Sequence, residues 1–210
     1  AGTRGASLGV EAIKVAAMDF MSNFFIHFPS ERIPNENKLL YEPIESPYAK
    51  RVKGVYSMYE KVSKAVSETI KNNFFPVVIS GDHSIAGATI AVIKMAKPKS
   101  KLGVIWIDAH ADLHTPYTTP SGNLHGMPLA ITLGEDNKDC AVHKLDDETK
   151  SYWEKLKNIG KISPKVLPED VVLISARDYE KEEKYVIDKH NIKLISTKEV
   201  RMKGPENIVR

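Results

Sequence analysis

Four short runs of apolar residues constrain more than any other feature how this chain can fold. They cover residues 76–80, 102–107, 171–175 and 192–196. Each run is continuously apolar rather than alternating, which is typical of strands buried on both faces of a sheet. Helical patterns lie between them, at about 85–97 and 181–189. This alternation predicts an α/β fold with a mainly parallel sheet that helices cover on both sides.

The N-terminal part of the chain is predicted to be helical and then irregular. Apolar residues recur at helical spacing over 10–25, which predicts a surface helix with one buried face. Glu11, Lys14 and Asp19 interrupt this stretch well short of the ~18 apolar residues of a membrane span. Four prolines within 26–50 predict a long loop, because proline ends helices. A second amphipathic helix is predicted over 52–70.

The composition excludes several classes of protein. The net charge of +3 is too small to indicate a nucleic-acid partner. The 42% apolar and 27% charged residues are ordinary for a soluble globular protein. The single cysteine, Cys140, can form no internal disulfide, which fits a reducing, cytoplasmic compartment. We predict that residues 1–210 belong to a single domain, with 136–170 as a helix-containing insertion outside the sheet.

Polar residues follow three of the predicted strands at their carboxyl ends. His83 follows the first run, the Asp108-x-His110-x-Asp112 motif follows the second, and Glu180 follows the third. Ligands of open parallel sheets bind in the crevice beyond these carboxyl ends. We therefore expect the three segments to meet at one rim of the sheet.

The Asp108-x-His110-x-Asp112 spacing predicts a metal site. Alternate side chains of an extended chain share a face, about 7 Å apart along the backbone. Imidazole and carboxylate ligands suit Mn²⁺, Zn²⁺, Fe²⁺ or Co²⁺, and carboxylate-rich sites favour Mn²⁺. The alternative is a solvated turn, since short motifs often match by chance. His83 favours the metal site, and Asp82 is expected to cap the next helix or to orient His83.

Residues 118–126 form a loop rich in small polar residues. Such residues are ordinary in surface turns, which is the alternative to a binding loop. His125 within it could act as a general acid or base, because imidazole titrates near neutral pH.

These motifs together resemble the arginase branch of the ureohydrolase (arginase/agmatinase) family. The resemblance runs from Gly2-Thr3-Arg4-Gly5-Ala6-Ser7-Leu8-Gly9 through the His83 and Asp108 motifs to the Arg177-Asp178-x-Glu180 segment. All ureohydrolases share the metal motifs, whereas the loop Ser121-Gly122-Asn123-Leu124-His125-Gly126 is similar to that of arginases. The resemblance implies a three-layer α-β-α fold around a central, mainly parallel sheet.

The resemblance also implies a site for two manganese ions (Mn²⁺). His83, Asp108 and Asp112 would serve one ion, and His110 with a bridging Asp108 would serve the other. Water activated by the two ions would attack the guanidinium carbon of L-arginine, releasing L-ornithine and urea. Catalysis would rest on Asp112 and on proton transfer by His125. The amino-acid end of the substrate would meet Ser121, Asn123, Thr119 (through water), His114, Glu180 and Glu183.

Three residues depart from the arginase pattern. Glu180 stands where arginases usually have aspartate, His114 where asparagine is common, and Met127 where glutamine is common. Other ureohydrolases, acting on agmatine, guanidinobutyrate or formimidoylglutamate, therefore stay open as alternatives. So does a non-catalytic member that binds an amino acid, and a zinc deacetylase is a more distant alternative.

The family's later Ser-x-Asp-x-Asp-x-x-Asp-Pro motif, which carries the remaining metal ligands, does not occur in this sequence. We therefore expect the chain to be the N-terminal portion of a larger ureohydrolase domain, incomplete at its C terminus. The resemblance implies a small-molecule substrate, a homotrimer or homohexamer, and no nucleic-acid or membrane partner.

Overall fold

Three parallel strands form the sheet in the computed structural model, which describes residues 5–208. The strands are β1 (Val104–Ile107), β2 (Val171–Ile174) and β3 (Lys193–Ile195), in the order β1-β2-β3. Val104 pairs with Val171, and Val172 pairs with Lys193. All three strands lie within runs that the sequence predicts, and the pairing confirms the parallel sheet.

Nine α-helices lie in the described residues 5–208. They are α1 (Gly9–Asp19), α2 (Phe24–His27), α3 (Val52–Lys71), α4 (Ala86–Ala96), α5 (Pro128–Leu133), α6 (Asp147–Lys157), α7 (Lys181–Lys189), α8 (Thr197–Lys203) and α9 (Pro205–Ile208). Side-chain caps start some of them: Asp146 accepts the Thr149 N–H at α6, and Ser196 accepts the Glu199 N–H at α8.

Two apolar cores hold these elements together. The first lies between α3, α4 and α6, where Tyr59, Ala88 and Trp153 are fully buried. The second lies between the sheet and helices α5 and α7, where Leu173, Leu129 and Val186 are fully buried. The segments that lead into α5 and α7 follow β1 and β2, so they begin at the carboxyl edge of the sheet.

The predicted strand at 76–80 is wrong for this structure. The segment is not part of the sheet, and Val77 is 67% exposed. A strand is stabilised by hydrogen bonds to a neighbour, and in residues 5–208 the only strand paired with β1 is β2. Ile105 and Ile107 of β1 accordingly remain 70% and 73% exposed.

The predicted buried face of the N-terminal helix is also wrong. The helix forms as α1, but it contains no buried residue, and Phe20 and Met21 just beyond it are 84% and 88% exposed. Helical spacing places apolar side chains on one face, whereas burial also requires an element packed against that face. The Gly2–Arg4 part of the N-terminal motif lies outside the described residues.

The predicted loop at 26–50 and the predicted insertion at 136–170 differ in their packing. Residues 26–50 are mainly loop with a short 3-10 turn at Asn37–Tyr41, as the prolines predict. Residues 136–170 contain no strand, but their helix α6 buries Trp153 and Leu156 completely in the first core. Within residues 5–208, none of the helices has both the length and the apolar character needed to cross a membrane.

Candidate metal centre

His83, Asp108 and Asp112 converge at the carboxyl edge of the sheet. The His83 Nδ1 atom lies 3.1 Å from Asp108 Oδ2 and 2.8 Å from Asp112 Oδ2. Asp108 directly follows β1, and its N–H donates to the Ile174 carbonyl at 3.1 Å, which continues the ladder to β2. His83 follows Asp82, whose side chain accepts the Ser84 N–H at 2.8 Å as a cap.

Asp112 is held in an unusual backbone conformation. Its φ is +54°, in the left-handed region that few residues other than glycine adopt. Its carbonyl accepts the Leu129 and Ala130 N–H groups at the start of α5, which fixes this turn. Residues held in such conformations concentrate at functional sites. The turn directs the carboxylate of Asp112, 5% exposed, toward His83.

The donor set fits a divalent cation. In the described part of the chain, Asp112 Oδ2 is a buried oxygen without a hydrogen-bond partner, although it lies 2.8 Å from an imidazole nitrogen. A buried carboxylate oxygen whose close imidazole neighbour is not aligned as a hydrogen-bond donor is costly, and a cation bound by both groups would satisfy it. Mixed imidazole and carboxylate ligands suit Mn²⁺ and related ions.

The aromatic ring of Trp106 orients His83. The two rings stack with centroids 4.6 Å apart and an interplanar angle of 25°. Trp106 lies in β1, two residues before Asp108, and it is 6% exposed. In the sequence, Trp106 is one residue of the apolar run 102–107, which predicts a strand. The adjacent Asp112 carboxylate raises the pKa of His83, so protons compete with a cation for this ligand.

His110 lies beside the other oxygen of Asp108. Its Nδ1 atom is 3.4 Å from Asp108 Oδ1, whereas Asp108 Oδ2 faces His83. Its side chain is 59% exposed, and its Nε2 atom is 3.7 Å from Asp178 Oδ2. Among residues 5–208, the compact ligand cluster thus contains His83, Asp108 and Asp112 but not His110. Asp108 stands between the two histidines, as a carboxylate bridging two ions would.

A second polar cluster joins His114, Glu180 and Glu183. His114 Nε2 lies 2.9 Å from Glu180 Oε2, and its Nδ1 lies 3.2 Å from Thr118 Oγ1. Glu183 is 2% exposed and accepts the Leu113 N–H at 3.0 Å and the Glu180 N–H at 3.1 Å. Burial raises the pKa of Glu183 to about 8. The two Glu183 oxygens thus accept hydrogen bonds from backbone N–H groups, whereas the Glu180 carboxylate is half-exposed at the rim of the sheet.

The polar loop beyond β1 is tightly folded. Thr119 is buried, and its hydroxyl accepts the Gly122 N–H at 2.9 Å. Ser121 is exposed, and its hydroxyl accepts the Asn123 N–H at 3.2 Å. Gly122 has φ +72°, and a Cβ there would lie 1.8 Å from the Pro47 carbonyl oxygen. Only glycine fits this turn, in which Ser121 is exposed and Asn123 is partly exposed.

The loop is connected to the ligand segment through its end. Leu124–Gly126 forms a 3-10 turn, and the Gly126 carbonyl accepts the His114 N–H at 3.1 Å. The His125 imidazole within this turn is exposed. The structure thus brings the His125 segment next to residues 112–114.

The comparison with known proteins then decides the family. The model of the arginase family matches residues 1–210. The chain belongs to the arginase family. This assignment and the α/β arginase fold confirm what the motifs predict.

Individual arginases match the chain over part of their length. The arginase of Bacillus caldovelox is 39% identical over 160 residues, which cover 76% of this chain and 48% of that protein. The arginase of Brevibacillus brevis is 35% identical over 218 residues, covering 98% of this chain and 63% of that protein. A crystal structure of arginase from Bacillus subtilis superposes with a TM-score of 0.74 at 32% identity, covering 99% of this chain and 62% of that chain. The chain therefore spans between about half and three-fifths of these arginases' length.

Proposed function

We propose that this arginase-family chain is part of a binuclear manganese hydrolase that cleaves L-arginine to L-ornithine and urea. The observation that carries the proposal is the convergence of His83, Asp108 and Asp112 around a buried carboxylate oxygen without a hydrogen-bond partner. The polar loop 118–126 is hydrogen-bonded to the same segment, so a substrate bound by the loop lies beside the ligands.

Two ions would be held by four residues. His83, Asp108 and Asp112 would bind the first, and His110 with the second oxygen of Asp108 would bind the other. Divalent ions at such a site lower the pKa of water and supply a nucleophile at neutral pH. The buried carboxylate of Asp112 would hold its ligand position rigidly, because its turn is fixed by two hydrogen bonds from α5.

The remaining residues would bind the substrate and move a proton. The exposed imidazole of His125 would deliver a proton to the amine that leaves as the guanidinium C–N bond breaks. Ser121, which is exposed, and Asn123, which is partly exposed, would donate to the α-carboxylate. The half-exposed Glu180 carboxylate would accept from the α-ammonium group.

Three further predicted contacts would act less directly. Thr119 and Glu183 are buried and use their side-chain oxygens on backbone N–H groups, so they would shape the site through their neighbours. His114 would hold Glu180 in place through its 2.9 Å contact.

The His114–Glu180 pair also favours a second candidate. If the contact with His114 keeps the Glu180 carboxylate from binding an α-ammonium group, the chain would act on another guanidino or formimino substrate, such as agmatine, guanidinobutyrate or formimidoylglutamate. A non-catalytic member that binds an amino acid would bind metal or ligand without turnover.

The test is urea release from L-arginine, with agmatine in parallel, after loading with Mn²⁺. We would assay the 210-residue chain and the longest reading frame that contains it. Urea from L-arginine alone supports an arginase, and urea from agmatine alone supports the second candidate. No urea from L-arginine, agmatine or guanidinobutyrate and no formamide from formimidoylglutamate, with Mn²⁺ bound at stoichiometric amounts, refutes the hydrolase. Asp108→Ala, which removes the ligand proposed to serve both ions, should abolish this activity, and Asp178→Ala, beside His110 but outside the ligand set, is its matched control.

We further propose that the protein acts in the cytoplasm as a homotrimer or homohexamer on a small-molecule substrate. The single cysteine and the family resemblance support this. Light scattering after gel filtration measures the oligomer directly.

A further inference from the structure

The start of the polar loop (residues 118–126) is bound by a histidine from a later segment of the chain. His143 Nε2 donates to the Thr119 carbonyl at 2.7 Å. Next to this contact, the Tyr117 carbonyl accepts the N–H groups of Val142 at 2.9 Å and His143 at 3.1 Å. Three hydrogen bonds therefore attach residues 142–143 to the start of the loop.

A tyrosine from the long N-terminal loop covers this histidine. The rings of Tyr48 and His143 stack with centroids 3.8 Å apart and an interplanar angle of 13°. Two residues further on, the Lys50 N–H donates to the Gly122 carbonyl at 2.8 Å. The Pro47 carbonyl lies against the Cα of Gly122, where no side chain would fit. The segment 46–50 therefore contacts the other end of the same loop.

Ser121 and Asn123 differ from the attached residues of the loop in their exposure to solvent. Thr119 and Gly122 are buried and bonded, whereas Ser121 is exposed and Asn123 is partly exposed. The backbone that carries Ser121 and Asn123 is thus fixed on one side by residues 142–143 and on the other by residues 46–50.

We propose that Tyr48 and His143 are positioning residues that hold the polar loop in the conformation that binds the carboxylate end of the substrate. This inference rests on the proposed function of the loop. Neither side chain would touch the substrate; His143 would act through the backbone of Thr119, and Tyr48 through its ring stacked on His143. Their effect is therefore expected on substrates that carry an α-carboxylate and not on those that lack it.

The physical step can be tested without any assay of activity. Hydrogen exchange of the 118–126 peptide should be faster in His143→Ala and Tyr48→Ala than in wild type, because each variant removes one support of the loop. Tyr48→Phe keeps the stacked ring and should exchange like wild type. His27→Ala is the matched control, since His27 also contacts a backbone carbonyl (Asn23, 2.9 Å) but lies elsewhere. Unchanged exchange in both alanine variants would overturn the proposal.

The functional step is then measured on the active form. The loss of one hydrogen bond predicts a roughly fivefold rise in KM for L-arginine in His143→Ala, with kcat nearly unchanged. The inhibition constant of agmatine, which lacks the carboxylate and is used as a competitor of L-arginine, should stay the same. His143→Gln, which keeps an N–H at the end of its side chain, should recover part of the loss and serves if His143→Ala does not fold. Faster exchange with an unchanged KM for L-arginine would refute the positioning role, whereas a wild type that releases no urea would refute the proposed function instead.

Discussion

Replacing Glu183 with glutamine should remove a pH dependence of stability that this buried carboxyl creates. Glu183 is 2% exposed, and its burial raises its pKa from 4.5 to about 8. The nearby Glu180 carboxyl also raises it. Glutamine has the same shape as the protonated acid and can still accept the Leu113 N–H, but it cannot ionise.

The sign and size of the effect follow from proton binding. Between pH 4.5 and about 8, folded Glu183 keeps a proton that the unfolded chain has released. The free energy of unfolding therefore falls as pH rises through this window, by at most about 1.4 kcal/mol per pH unit. From about pH 6 to about 7.5, wild type should lose roughly 2 kcal/mol from this group alone. The stability of Glu183→Gln should not change with pH through this group. The variant lacks the hydrogen bond from the Glu180 N–H, which lowers its free energy of unfolding by about 1 kcal/mol at every pH.

The measurement is urea denaturation at several pH values across the window. Wild type should be the more stable protein below about pH 5 and Glu183→Gln the more stable above it, with a difference that widens as pH rises, because only wild type carries the falling contribution. Glu169→Gln, which changes an exposed carboxyl, should follow wild type at every pH. Parallel curves for wild type and Glu183→Gln would refute the reasoning, since they would mean that Glu183 ionises alike in both states.

Three other changes have definite outcomes. Asp108→Ala should abolish binding of the Mn²⁺ pair in titration calorimetry; retention of both ions would disprove the bridging position. Trp153→Ala should lower the free energy of unfolding by about 3–5 kcal/mol, because it empties a fully buried site and leaves Asp136 without a 2.8 Å donor. Gly122→Ala should raise the KM for L-arginine several-fold, because its Cβ would collide with the Pro47 carbonyl; an unchanged KM would contradict the tight turn.

Local sequence patterns predicted most of the regular structure. Helices α3, α4 and α7 lie at the predicted positions because periodic apolar residues act within one or two turns, and at α7 a capping box of Glu180 and Glu183 adds to this. Residues 76–80 have the same kind of apolar run as β1, yet they form no strand. The difference is the neighbour: β1 pairs with β2, which is remote in sequence. The apolar face of α1 is likewise not buried, because burial depends on another element packed against it.

The kinds of ligand at the site were determined by the sequence alone. Asp108, His110 and Asp112 alternate directly after a strand, and His83 follows an apolar run, so the residue types and their common edge could be predicted. Spacing alone did not show which of them converge; only the family resemblance grouped His83 with Asp108 and Asp112. In the structure His83 and Asp112 meet through the packing of α4, α5 and the sheet.

Tertiary structure alone decided which side chains are buried and what supports the loop. Glu183 contacts the backbone of Leu113 across 70 residues, and His143 contacts Thr119 across 24. The spacing of residues along a chain predicts which face they share, but loss of water and the identity of a hydrogen-bond partner depend on segments brought together by folding. For that reason the sequence determined the chemistry available at this edge of the sheet, and the packing of distant segments determined its geometry and charge.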